Sequence, residues 1–441
     1  MTVRASRDTS PVTRRRFRVL AISYVCSPDH GSERGVGWGW VRAIARHHDV
    51  WVIAADFERR AIEQIQAVNP GALVGTRFHY VEPRPWHFAL TRMWELIEAS
   101  CLKPVMNSAY RLWQKDAFRL AGDLHREIGF DLMHLVTMVG YRFPAKFYQI
   151  DVPFVWGPIG GLENTHWRFL PLLGFSGCGY YSARNMINSL DRRFLPDPKR
   201  AFAKAAASGG IIAATGGIRR EIKKWYGHDS EVICEIGPPA EIATEHSLRS
   251  SGEPLKLAWS GRHDAGKCLP LLLKALALLP ADFSWNLTIL GQGPDTAKWR
   301  RLSRRLGLED RCRWTGWLER DAAVRTMHDA HLFVITSMKD LTSTVLLEAL
   351  SQGLPVVCPD HCGFTDVVTA DCGIRLPVHS PRQLIADLAA AIRQLGEDET
   401  ERRRLAAGAL RRIGDFSWEK KAAAVDAIYR RAVEAWGKNR G

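Results

Sequence analysis

No stretch of this 441-residue chain approaches the ~20 consecutive apolar residues that a membrane-spanning helix needs; residues 169–181 come nearest, and they are too short and too rich in glycine. Acidic residues are in deficit, with 47 Asp and Glu against 61 Lys and Arg, a net charge of +14. A basic surface suits anionic partners such as phosphorylated molecules or anionic lipid headgroups, or simply keeps the chain soluble. No motif for reading DNA or RNA occurs, which excludes nucleic acid as the expected partner. Cysteine is present but unpatterned: nine residues, an odd number, with no recognised zinc spacing. Cys358, His361, Cys362 and Cys372 fall close together, but a structural zinc site wants closely spaced ligand pairs. Reduced thiols in a cytosolic protein are the expectation.

The N-terminus carries Thr13-Arg14-Arg15-Arg16-Phe17 ahead of an apolar run, superficially like a twin-arginine export signal. The run is short, contains Ser23 and leads to Pro28-Asp29-His30-Gly31 without a small-residue cleavage site, so a first β-strand explains it better. Residues 18–24 are mostly apolar and partly β-branched, as in a strand buried on both faces of a parallel sheet. A glycine-rich loop (31–37), a helix (38–46) and a strand (50–54) are expected to follow. Later strands are expected at 132–136, 154–156, 211–214 and 232–236. From Pro238 to Gly252 the sequence turns polar and small, as linkers do. The pattern then restarts, with strands at 257–259, 285–290, 332–335 and 355–358 and helices at 270–279 and 344–352. This predicts an α/β protein of two doubly wound, Rossmann-like domains facing a central cleft. The boundaries are an N-terminal domain at 1–240, a linker at 241–255, a C-terminal domain at 256–415 and a final helical segment at 416–441.

Chemistry concentrates in the second half. Arg262 and Lys267 follow a strand, five positions apart, where two cations can clamp a diphosphate or form a solvated surface loop. Asp340 sits in a loop and Glu348 about one turn inside the next helix. The start of that helix, at Ser343 and Thr344, offers backbone N–H groups to a phosphate. Both acids can accept hydrogen bonds from sugar hydroxyls; capping for Asp340 and a solvated face for Glu348 are the plainer alternatives.

These residues resemble a family. Ser260-Gly261-Arg262, Lys267, Gly291-Gln292-Gly293, Gly316-Trp317, Asp340 and Glu348, then Gly353-Leu354-Pro355, resemble the retaining glycosyltransferases of family 4, of GT-B architecture and the bacterial group 1 type. The resemblance implies that Arg262 and Lys267 bind the donor diphosphate, that Glu348 binds the nucleotide ribose and that Asp340 faces the donor sugar. Asp340 stands where the family usually has Glu. Gly31, Gly35, Gly261, Gly291, Gly316, Trp317, Ser343 and Thr344 complete the expected donor site. Metal independence is implied, and no Asp-x-Asp pair occurs; the cofactor expectation is none, with a UDP-sugar as co-substrate.

In the first half the match rests on Ser27-Pro28, Gly31-Ser32-Glu33, Gly35 and Gly37-Trp38. Asp131-Leu132-Met133-His134 follows an Asp-x-x-His pattern, and His134 is either catalytic or a buried structural residue. Trp156-Gly157-Pro158-Ile159-Gly160-Gly161 is a second glycine-rich loop that shapes the acceptor side or merely turns. Residues 84–118 mix aromatic and basic groups, and either lie on an anionic membrane or pack on their own domain. The expected function is sugar transfer to a glycan or polyprenyl-linked acceptor, in cell-surface polysaccharide synthesis, at the cytoplasmic face of the membrane. The alternatives are a nucleotide-sugar epimerase and a non-catalytic sugar-nucleotide-binding protein.

Overall fold

Two successive series of strand and helix each build an all-parallel sheet in the computed structural model, which describes residues 15–28, 32–82, 103–438 and 440. The first sheet holds β1 (Arg18–Ile22), β2 (Asp49–Ala55), β3 (Thr76–Val81), β4 (Leu132–Leu135), β5 (Phe154–Ile159), β6 (Ile211–Ala213) and β7 (Glu231–Val232). Their spatial order is β3-β2-β1-β4-β5-β6-β7. Val19 to Ile22 are fully buried, because helices cover both faces of the sheet and leave no polar side for alternation. The second sheet holds β8 (Leu255–Ser260), β9 (Trp285–Leu290), β10 (Cys312–Gly316), β11 (Leu332–Val334), β12 (Val356–Pro359) and β13 (Gly373–Leu376), ordered β10-β9-β8-β11-β12-β13. In each sheet the winding reverses beside the first strand, at β1/β4 and at β8/β11. Loops at the carboxyl ends of those strands leave a crevice between them, the usual place for a ligand in such sheets.

Three strands escape the sequence reading. β3 and β10 each have one buried position among partly buried and exposed ones, and β13 is only four residues long, so their apolar signal is diluted. The glycine-rich segment after β1 also differs from expectation. A helix begins at Ser32 and runs to Ala45, so Gly35 and Gly37 lie inside it rather than in a loop. Packing is the reason: a Cβ on Gly37 would sit 2.1 Å from the Val25 carbonyl, and one on Gly39 would sit 2.0 Å from the Trp418 ring. Small residues here let the helix lie directly on its neighbours.

Trp418 opens the last helix, Trp418–Lys438, which packs on the Ser32–Ala45 helix of the first half. Arg46 pairs with Glu419 at 2.6 Å and His48 Nε2 lies 3.2 Å from Asp426. The end of the chain is thereby held on the domain where the chain began.

Of the aromatic–basic stretch, residues 84–102 lie outside the described residues. The described remainder falls on the helix Lys103–Ile128, where Tyr110 and Trp113 are buried against Tyr24 in the first domain's core. Those two rings therefore pack on their own domain, because each completes an aromatic cluster with Tyr24.

Candidate functional site

Lys267 ends a short turn, Ala265–Lys267, in the loop after β8; the Asp264 side chain holds that turn by accepting from the Gly266 N–H at 3.0 Å. Its ammonium reaches across to the loop after β11 and donates to Asp340 Oδ2 at 2.5 Å. Burial works to strip the proton from Lys267, but the Asp340 charge and hydrogen bond outweigh it and hold the lysine above its ordinary value. Both side chains remain partly open to the cleft. Asp340 does not cap the following helix; Ser343 takes that position.

Ser343 has φ 75°, a left-handed conformation that costs strain in any residue but glycine. Its side chain caps none of the N–H groups of the helix Thr344–Ser351. Thr344, the first residue of that helix, lines a cavity of about 160 Å³ together with Gly35, Arg42, Arg46, Arg320 and Trp418. Gly35 of the first domain and Thr344 of the second thus face one another across the cleft. Glu348 lies one turn further along and is buried, not solvated. Arg320 Nε donates to its Oε1 at 2.8 Å. Burial pushes the Glu348 carboxyl up from its ordinary value, and Arg320 pulls it back.

Close backbone approach explains one of the expected glycines. Gly291, at φ 104°, brings its Cα so near the Gly261 carbonyl that a Cβ would lie 2.2 Å from it. Its N–H donates to the Gly316 carbonyl at 2.9 Å, which ties the ends of β9 and β10 together beside the Arg262 loop. Arg262 and Trp317 are exposed. Gly31 lies outside the described residues.

His134 is fully buried, which takes it out of the cleft. Nδ1 is 2.6 Å from the Tyr429 hydroxyl and Nε2 is 2.7 Å from the Gly157 carbonyl. Burial pushes its pKa down to about 4, and the Gly157 contact opposes this only in part. With both ring nitrogens engaged and no exposed surface, its place is the joint between β4, Gly157 of β5 and the last helix. The expected catalytic role for His134 is replaced by this structural one.

Residues 243–412 match the family model described as glycosyl transferases group 1. The fold is GT-B. HepE of Anabaena, solved in complex with UDP, aligns over 93% of this chain and 99% of its own with a TM-score of 0.58 at 16% identity. Among curated proteins, the lipopolysaccharide core biosynthesis glycosyltransferase LpsD of Rhizobium meliloti (strain 1021) is 29% identical over 188 residues, 41% of this chain and 51% of that protein. The lipopolysaccharide 1,6-galactosyltransferase of Escherichia coli (strain K12) is 31% identical over 165 residues, 36% of this chain and 45% of that protein. The chain spans about half the length of the curated relatives it matches.

Within this GT-B cleft the structure adds residues that sequence reasoning missed. Lys339, next to Asp340, donates to the Glu163 carbonyl of the first domain at 2.6 Å. Burial, with Arg184 nearby, lowers its pKa to about 8. Leu341 packs on Gly160 of the second glycine-rich loop, where a Cβ would lie 2.9 Å from its side chain. Thr342 donates from its N–H and its hydroxyl to the two oxygens of Glu235, at 3.1 and 2.8 Å. The Gly216 N–H donates to Asp366 Oδ2 at 2.6 Å. The segment 339–342, just ahead of the helix Thr344–Ser351, therefore forms part of the seam between the domains. Its one signal in the sequence was the lysine beside the acidic residue.

Proposed function

We propose that the protein transfers a sugar from a nucleotide-diphosphate sugar to a glycan or lipid-linked glycan acceptor, in cell-surface polysaccharide synthesis. The reading extends to retention at the anomeric carbon, to metal independence and to action at the cytoplasmic face of the membrane. The observation that carries it is the pairing of Lys267 with Asp340 at the switch point of the second sheet, just ahead of the uncapped start of the Thr344–Ser351 helix, whose Thr344 shares a cavity with Gly35. The curated relatives' names, which concern lipopolysaccharide, support the acceptor class. The UDP in the HepE complex supports UDP as the nucleotide.

In this reading the donor diphosphate lies between Arg262, Lys267 and the N–H groups at Ser343 and Thr344. As the bond from the anomeric carbon to the phosphate oxygen breaks, its electron pair stays on the diphosphate, and these donors stabilise the growing charge. The acceptor hydroxyl bonds to the anomeric carbon from the same face and gives its proton to the departing phosphate oxygen. Asp340 accepts from a donor-sugar hydroxyl; Glu348 accepts from the ribose. Arg262→Ala should slow UDP release from a UDP-sugar and acceptor by ~10²–10³-fold, the usual loss for one such donor. A folded R262A protein with parental turnover would sink the assignment.

A further inference from the structure

The helix Gly174–Phe194 has its polarity reversed. Its asparagines point inward and are fully engaged: Asn185 exchanges two hydrogen bonds with the Thr165 backbone at 2.9 and 2.8 Å. Asn188 donates to the Leu162 carbonyl at 3.0 Å and accepts from the Tyr141 hydroxyl at 3.0 Å. Its large apolar residues point outward. Phe175, Met186, Ile187, Leu190 and Phe194 each expose half or more of their surface, and Trp167 of the preceding turn exposes 69%. Gly179 and Ala183, both exposed, complete the stripe at helical spacing. A surface helix ordinarily turns such a stripe to the core. A contiguous apolar patch left outside marks an interaction surface.

Charge indicates what covers it. The single acid of this helix, Asp191, accepts from Arg142 Nε at 2.5 Å, and Arg192 pairs with Glu221 at 2.6 Å. Of the other two cations on the helix, Arg184 is half-buried near Lys339, and Arg193 is exposed and lies over the Phe194 ring at 5.6 Å. Lys199 and Arg200 follow, both exposed. An apolar stripe edged by cations suits insertion at the headgroup boundary of an anionic bilayer. The helix also adjoins the donor loop: a Cβ on Gly177 would lie 3.2 Å from Ala265, and one on Gly266 would lie 2.5 Å from the Tyr181 hydroxyl.

We propose that the outer face of the helix Gly174–Phe194 docks on an anionic membrane surface and seats the rim of the cleft against it. That this brings a lipid-linked acceptor to the donor loop rests on the sugar-transfer reading; the docking itself does not. The test is flotation of the full chain with phosphatidylcholine vesicles, with and without phosphatidylglycerol. The parent should float with the anionic vesicles, and a combined I187S/L190S/F194S variant should lose about tenfold or more of that binding, because the inserted apolar area supplies it. R193S should weaken it further at low salt. UDP binding and the thermal midpoint should stay at parental values, since the changed residues are exposed. A parent that ignores anionic vesicles, or a triple variant that floats as well as the parent, overturns the proposal. So does a parental dimer that the triple variant splits without losing vesicle binding, which would assign the face to a second copy. Vesicle binding that depends on the stripe in a protein that binds no nucleotide-sugar would support docking and count against sugar transfer.

Discussion

Lys267 Nζ stands 2.5 Å from Asp340 Oδ2, which joins the loop after β8 to the loop after β11 across the switch point of the second sheet. Burial of Lys267 favours its neutral form, and the Asp340 charge and hydrogen bond oppose this and hold the proton on. Asp340→Asn keeps the shape and removes the charge. The Lys267 pKa should then fall, and the alkaline limb of the pH–rate profile should move to lower pH, because in the proposed reaction the protonated lysine holds the diphosphate. Turnover should drop by ~10²-fold or more. Asp340→Glu restores the charge and should recover part of the loss. An N variant with an unmoved alkaline limb would separate the pair from the reaction.

Glu348→Gln tests the ribose contact. A hydrogen bond to a charged group contributes ~1.5–3 kcal/mol, so the Kd for UDP by calorimetry should rise roughly tenfold or more. Folding should change by less than ~1 kcal/mol from the lost ion pair, because the partner, Arg320, is 48% exposed. An unchanged Kd would place the ribose elsewhere.

Gly39→Ala and Gly122→Ala form a matched pair. Both glycines are helical, and replacing a helical glycine ordinarily gains ~0.5–1 kcal/mol. A Cβ at position 39 would overlap the Trp418 ring, whereas one at position 122 meets nothing within 4 Å. Gly39→Ala should therefore cost ~1–3 kcal/mol through overpacking. Gly122→Ala should raise the thermal midpoint. The opposite order would mean that the last helix does not lie on the first as described.

Acid should destabilise the protein early. Burial lowers His48, His134 and His331 to about 4 from the ordinary 6.5. Between pH 6.5 and 4 the unfolded chain binds protons that the folded one refuses, so these groups erode stability as pH falls through that window and contribute no slope above it. Urea midpoints measured from pH 8 to 4 should show the decline. His134→Gln should flatten it by about one proton. A curve that is level down to pH 5 would contradict the burial of these rings.

Much of the site was readable because its parts are local. A run such as residues 18–22 shows a buried parallel strand in its composition, and the spacing from Asp340 to Glu348 sets one in a loop and the other in a helix. The donor loop and the Thr344 helix could be read for the same reason.

What the sequence by itself determined was the order of elements, the two doubly wound halves and the candidate donor residues, since periodicity and turn chemistry act over a few residues. Only the tertiary structure decided which groups meet. Lys267 finds Asp340 at a separation of 73 positions, and His134 is sealed by Tyr429, 295 positions away. It also made the glycine-rich segment after β1 helical from Ser32, with Gly37 pressed against the Val25 carbonyl. The outward apolar face of the helix Gly174–Phe194 likewise emerged only there, because inward hydrogen bonds from Asn185 and Asn188, made to distant backbone, set which way that helix faces.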